Sequence, residues 1–185
     1  MVDGVVGRVR AACGVEVGVS TGEWIVPDLR RRLEFVRGWT APDFASVNVS
    51  ERGATEVMEA LLGAGVGVEA GVWGVEDAQR LAASGLAPRV VRILVEPVDV
   101  TVADGPGLVG KVHAALDRLG LDAARLQHGD GQATWILLAD AVDRRIDTRI
   151  GLEDTFRQPN GERAAGNEAL VRAARDLGAG RRTPG

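Results

Sequence analysis

The chain has 185 residues, the length of one domain, and its 45% apolar residues can bury a sizeable core. A net charge of -4 gives no basic surface for nucleic acid, and no apolar run is long enough to span a membrane. The single cysteine, Cys13, excludes an internal disulfide. These features predict one domain, residues 1–177, in a cytoplasmic setting, with a flexible tail at 178–185.

Short β-rich runs alternate with helical runs along the chain. A first helix at 5–13 precedes any strand, and Val5, Val9 and Ala12 are expected to form its buried face. Strands are then predicted at 15–20, 43–48, 66–69, 90–96, 125–128 and 147–151. Helices are predicted at 27–39, 54–62, 75–84, 106–119, 134–145 and 167–177, the last with Asn167 as its N-cap.

This strict alternation predicts an α/β fold with a parallel sheet and helical crossovers, most simply a TIM-type (β/α) barrel. A closed barrel has eight βα units in roughly 250 residues, whereas six are recognisable here. We therefore expect an incomplete barrel that lacks about the first two strands. Its two open edges and its uncovered apolar flank predict a homo-oligomer.

Polar residues stand where the predicted strands end. They are Ser20, Asn48, Glu69, Glu96, His128 and the pair Glu153-Asp154. The C-terminal strand ends of a barrel form its active-site face. Burying a carboxylate without a partner is costly, so packing alone does not explain this set. By contrast, the run Arg30-Arg31-Arg32 on the second helix is interpreted as a solvated face.

Two glycine motifs suggest other functions. Gly18-Val-Ser-Thr-Gly22 fits the nucleophile elbow of a serine hydrolase, and Ser20, Asp99 or Asp104, and His128 follow in the order of its triad. The stretch Glu23-Trp-Ile-Val-Pro27 intervenes, and the predicted helix begins only at its last residue, whereas an elbow enters its helix at once. Gly105–Gly110 fits a dinucleotide-binding pattern, but the preceding loop is too long for a tight turn, which favours a simple helix start.

Six segments together resemble a known family. They are VGVSTG at 17–22, DFASVN at 43–48, GVEAG at 67–71, VEP at 95–97, HG at 128–129 and RIGLED at 149–154. In this order they are similar to the β-keto acid cleavage enzymes, whose type member is the 3-keto-5-aminohexanoate cleavage enzyme. The resemblance covers about residues 5–177, and RIGLED is its most specific part.

The resemblance implies a zinc-dependent barrel that condenses a β-keto acid with acetyl-CoA, giving acetoacetate and a new acyl-CoA. It implies that Glu153 is a zinc ligand, and His128 is a candidate second one. Asp154 and Arg149 match the catalytic pair: Asp154 would handle the proton, and Arg149 would hold Asp154 and the developing charge.

Four further positions match substrate contacts of the family. They are Ser20, Ser46, Asn48 and Glu69, and Glu69 would bind a substrate ammonium group. The other zinc ligands of the family, a His-x-His pair, and a further catalytic glutamate lie on the strands that this chain is expected to lack. Two alternatives follow: a catalytically inactive barrel that acts only as an oligomer subunit, and a serine hydrolase that uses Ser20.

Overall fold

The structure, a computed structural model, describes residues 2–180. Its helices are α1 (Val2–Cys13), α2 (Leu29–Arg37), α3 (Ala54–Gly63), α4 (Val75–Ser84), α5 (Gly105–Arg118), α6 (Thr134–Arg144) and α7 (Asn167–Asp176). Its strands are β1 (Gly18–Ser20), β2 (Phe44–Asn48), β3 (Gly67–Val72), β4 (Arg92–Val95), β5 (Arg125–Gln127) and β6 (Asp147–Thr148). Strand and helix alternate after α1, as predicted. Residues 181–185 of the predicted tail lie outside the described residues.

All six strands pair in parallel, and their order in the sheet is their order in the chain. The sheet curls into a half-barrel with the helices outside. Each helix returns the chain so that the next strand runs in the same direction, which is what a parallel pair requires. The α/β class and the parallel sheet are thereby confirmed, and β1 and β6 are the edge strands of the described sheet.

The apolar core lies between the convex face of the sheet and the helices. On β2, Ala45 and Val47 belong to this core, and on β3 its members are Val68, Ala70 and Val72. Successive side chains of a strand point to opposite faces. The residues between them, such as Ser46 on β2 and Glu69 on β3, therefore lie on the concave face.

Two predictions about helix surfaces were wrong. Arg32, expected on a solvated face, is only 3% exposed, because it pairs with the almost buried Glu51 in the loop after β2. In α1 the buried residue is Val6, whereas Val5 and Val9 are exposed. The periodicity located both helices correctly, but a contact with another element decided which side is buried.

Several element boundaries also differ from the prediction, and two of them affect the site. Strand β3 continues to Val72, because Gly71 and Val72 pair with Leu94 and Val95 of β4, so Glu69 lies in the middle of β3 rather than at its end. The N-cap of α7 is Gly166. The side chain of Asn167 instead accepts a hydrogen bond from the backbone N–H of Leu152 (2.8 Å), and thus ties α7 to the loop after β6.

Within residues 2–180, none of the helices combines the length and the apolar character needed to cross a membrane.

Candidate active site

The concave face carries a row of polar residues across four neighbouring strands. Ser20, Ser46, Glu69 and Arg92 are register partners on β1, β2, β3 and β4. They line a cavity of about 440 Å³, and Asn48, Glu96, Arg149 and Glu153 line it as well. The structure therefore brings most of the predicted site residues to one cavity. Asp154 and His128 do not line it, but they contact Arg149 and Glu96, which do.

Glu69 is held from two sides. The Ser46 hydroxyl donates a hydrogen bond to Oε1 of Glu69, and Nε of Arg92 donates to Oε2. Glu69 is 2% exposed, so the Arg92 guanidinium supplies the countercharge that a buried carboxylate needs. The guanidinium also lies over the Phe44 ring, with Cζ 4.6 Å from the ring centre. Sequence reasoning missed Arg92, which begins its strand and carries no motif.

Asn48 is oriented by the buried ion pair of Arg32 and Glu51. Its Nδ2 donates to Glu51 Oε1 (2.8 Å), while Glu51 Oε2 accepts from Arg32 Nη1 and from the backbone N–H of Glu23, both at 2.8 Å. One of the two N–H donors of the Asn48 amide is thus used. Its carbonyl oxygen points toward Gly71, where a Cβ atom would lie only 2.7 Å from it.

Glu96 lies beside Asn48 at the C-terminal end of β4. A Cβ atom at Gly71 would be 2.8 Å from Glu96 Oε1, so the two side chains converge over the space that this glycine leaves open. Trp73 Nε1 lies 3.4 Å from Oε1, and His128 Nε2 lies 2.9 Å from Oε2. The sequence had shown Glu96 as a polar strand end, but the resemblance gave it no role.

His128 connects Glu96 to Asp154. Its side chain is 5% exposed, and Nδ1 lies 3.1 Å from Asp154 Oδ1, in ion-pair contact rather than in a straight hydrogen bond. Burial alone would lower the pKa of His128, but the carboxylates of Asp154 and Glu96 raise it above its ordinary value. An imidazole between two carboxylates is therefore held in its protonated form more firmly than a free histidine.

Asp154 is fixed by the turn that follows β6. Its Oδ2 accepts the backbone N–H of Gly151 (2.8 Å), and its own carbonyl accepts from Gly131 N–H (2.8 Å). Arg149 Nη2 lies 3.5 Å from Asp154 Oδ1 and 3.6 Å from Glu153 Oε2. The predicted pair of Asp154 and Arg149 is thus in contact, and Asp154 is buried at the junction of three segments.

The predicted zinc ligands do not form a metal-binding set. Within residues 2–180, no group of three or more His, Cys, Asp or Glu side chains is arranged to hold a metal ion. The Glu153 side chain is 76% exposed and faces Arg149, and both ring nitrogens of His128 contact carboxylates. Since a catalytic zinc normally has three protein ligands, the described residues do not fit this ion.

Ser20 has no catalytic histidine beside it. Its hydroxyl oxygen accepts a hydrogen bond from Gly22 N–H (3.3 Å), which is a local turn contact. His128 is committed to Glu96 and Asp154, and His113 is buried against Gln127 (2.7 Å) between helix and sheet. The geometry therefore gives no support to a serine-hydrolase triad among the described residues.

Comparisons with known proteins agree with the sequence motifs. A family model described as "beta-keto acid cleavage enzyme" matches residues 1–183. A search of the curated proteins found no match. Among solved structures, the chain is similar to the dihydropteroate synthase (FolP) from Thermus thermophilus, with 17% identity over 88% of this chain and 84% of that chain and a TM-score of 0.43. That similarity is too distant to bear on substrate or mechanism.

Proposed function

The chain belongs to the β-keto acid cleavage enzyme family, and on that premise we propose that it condenses a β-keto acid with acetyl-CoA, giving acetoacetate and a new acyl-CoA. The half-barrel is proposed to be part of a TIM-type (β/α) barrel, whose active site lies at the C-terminal strand ends. Acetyl-CoA as co-substrate is proposed on family membership alone.

The observation that carries this proposal is the contact of Asp154 with Arg149 and His128. A β-keto acid reacts through its α-carbon, so the site needs a base nearby and positive charge for the enolate that forms. Asp154 is the proposed base. The cation of Arg149 and the imidazole of His128 lie against the same oxygen of Asp154 and hold the carboxylate in place.

The remaining contacts of the substrate are proposed on the concave face. Ser20 and Ser46 carry hydroxyls there, and Asn48 presents a carbonyl oxygen because Glu51 binds its amide nitrogen. These groups orient a small polar acid rather than an apolar ligand. Orientation of this kind converts binding energy into rate, because the reacting carbon is kept beside its base.

Zinc is proposed only because the family uses it, where it polarises the keto acid as a Lewis acid. The described residues do not form its site, so none of the proposed steps depends on it. Metal analysis of the purified protein tests this point directly: about one zinc per chain would support a site completed by ligands other than the described set, whereas a chain that stays metal-free in excess zinc would exclude it.

The function is tested by acetoacetate formation from acetyl-CoA and a panel of β-keto acids. The Asp154→Asn variant is expected to lose about 10²–10⁴-fold in kcat, because it removes the base and keeps the shape of the side chain. Asp176→Asn, at the exposed end of α7, is the matched control and should keep wild-type turnover. Equal turnover of Asp154→Asn and wild type would contradict the assignment of the base.

A non-enzymatic role is the second candidate, because apolar side chains are exposed beside the edge strand β1. Trp24 is 67% exposed and Ile25 is 55% exposed, both in the loop after β1. Such exposure favours a homo-oligomer in which this flank is covered. A monomeric species by light scattering together with acetoacetate formation would reject the subunit-only alternative.

A further inference from the structure

The charge of Glu69 is already balanced within the protein. Both carboxylate oxygens have partners, Ser46 on one and Arg92 on the other, and the side chain is 3% exposed. A substrate ammonium group would have to displace Arg92 from this carboxylate. Displacement would break this ion pair and place the ammonium group beside the Arg92 guanidinium, a like charge.

Both residues line the cavity, but Arg92 is the more exposed member of the pair. Its side chain is 31% exposed, and only Nε is used by Glu69. Within residues 2–180, neither terminal nitrogen, Nη1 or Nη2, donates a hydrogen bond to another group. The Phe44 ring below the guanidinium limits its rotation. The planar guanidinium of Arg92 thus holds its two terminal nitrogens, both hydrogen-bond donors, at the wall of the cavity.

We propose that Arg92 makes this cavity selective for β-keto acids that carry a second carboxylate at the far end of their side chain. A carboxylate matches the two terminal nitrogens in a bidentate arrangement, which is among the stronger hydrogen-bonded ion pairs. The identity of the acid as a β-keto acid rests on the proposed function, whereas the selectivity rests on the geometry of Arg92.

The other acids of the cavity do not reverse this selectivity. Glu96 is engaged by His128 and by Trp73, and Glu153 is 76% exposed to solvent and faces Arg149. Solvent screens the charge of an exposed carboxylate strongly. The cavity also has Arg149 on its wall, so two guanidinium groups are present for an acid with two carboxylates.

Binding of three six-carbon probes tests the proposal without catalysis. Adipate has two carboxylates, hexanoate has one, and 6-aminohexanoate has a carboxylate and an ammonium group. By calorimetry, adipate should bind the wild-type chain at least about tenfold more tightly than hexanoate, because only adipate has a second carboxylate for Arg92. The probe 6-aminohexanoate should bind more weakly than hexanoate, because its ammonium group meets Arg92.

Two variants test whether Arg92 causes the preference for adipate over hexanoate. Arg92→Lys keeps the charge beside Glu69 but lacks the planar pair of terminal nitrogens that binds a carboxylate in a bidentate way, so the adipate preference should fall several-fold. The double variant Glu69→Gln/Arg92→Gln removes both charges together and leaves no unpaired buried carboxylate. It should bind adipate and hexanoate equally. Arg89→Lys, exposed and three residues before Arg92, is the matched control and should bind like wild type.

The outcomes separate this proposal from the proposed function. Adipate preference without acetoacetate formation would support the anion site and reject the activity. Acetoacetate formation with equal or tighter binding of 6-aminohexanoate would support the activity and overturn the selectivity. No detectable adipate binding by the wild type, or an unchanged preference in both variants, would also overturn it.

Discussion

On β2, Ala45 and Val47 pack into the apolar layer under the helices, whereas Ser46 and Asn48, each one residue away, face the cavity. The convex side is stabilised by close packing, in which many similar contacts add up. The concave side is stabilised by a few specific hydrogen-bonded and ionic pairs. If one partner of such a pair is removed, the other is left buried and unpaired, which destabilises the fold. The same strands thus have one face that tolerates conservative change and one that does not.

The largest effect is expected where a pair beside the concave face is broken. Arg32→Met removes the countercharge of Glu51 and should lower the free energy of unfolding by about 3–5 kcal/mol, because an almost buried carboxylate is left unpaired. Arg30→Met, on the same helix with a side chain that is 90% exposed, should change it by less than about 0.5 kcal/mol. Urea denaturation measures both. Similar values for the two variants would show that the ion pair contributes nothing.

A cavity in the core on the convex side should lower the free energy of unfolding somewhat less than the broken ion pair, and it should leave catalytic turnover unchanged. Leu116→Ala, in the fully buried core of α5, is expected to lower the free energy of unfolding by about 3 kcal/mol. Leu119→Ala, just after the same helix and 40% exposed, is the control with a small effect. Turnover per folded molecule should be unchanged in both, and a loss of turnover in Leu116→Ala would mean that the two faces are coupled.

A single methyl group should disturb the concave face without unfolding it. In Gly71→Ala the new Cβ would meet Asn48 Oδ1 and Glu96 Oε1 at 2.7 and 2.8 Å, so both side chains must move. We expect kcat/KM to fall about 10–100-fold, because misplaced contacts weaken orientation of the substrate. Gly63→Ala, at the end of α3 with nothing within 4 Å, should leave kcat/KM unchanged. Equal kinetics of the two variants would contradict a role of Asn48 and Glu96 in orienting the substrate.

The smallest effect concerns pH. Because the pKa of His128 is raised in the folded chain, its contribution to stability is fully present below its ordinary pKa of 6.5 and is lost as the pH rises through the folded value. His128→Gln should therefore flatten the decline in the free energy of unfolding that begins above about pH 6.5. Urea titrations of both proteins across this range measure it. An unchanged slope would show that the two carboxylates do not stabilise the protonated ring.

These two faces also explain what could be predicted from the sequence. The apolar layer is built from strands and helices that alternate along the chain, so the parallel sheet could be predicted from that alternation. The motifs located Asp154, Arg149 and Asn48 because their residue types are specific. The pair of Arg32 and Glu51 is 19 residues apart, and that of Glu69 and Arg92 is 23 residues apart. No local pattern indicates a partner at such a distance, so Arg32 was assigned to solvent and Arg92 was missed.

The strand order of the sheet has a consequence for how the chain acquires its structure. Every strand pairs with the strand before it in the chain, so no strand has to wait for a distant segment. During synthesis each new βα unit can dock onto the edge left by the previous one, and the loop closed at each step is short. Folding can therefore proceed from the N-terminal side as the chain leaves the ribosome. Under such an order Asp154 and Arg149, on the turn after β6, join the site after its members on β1 to β4 are in place.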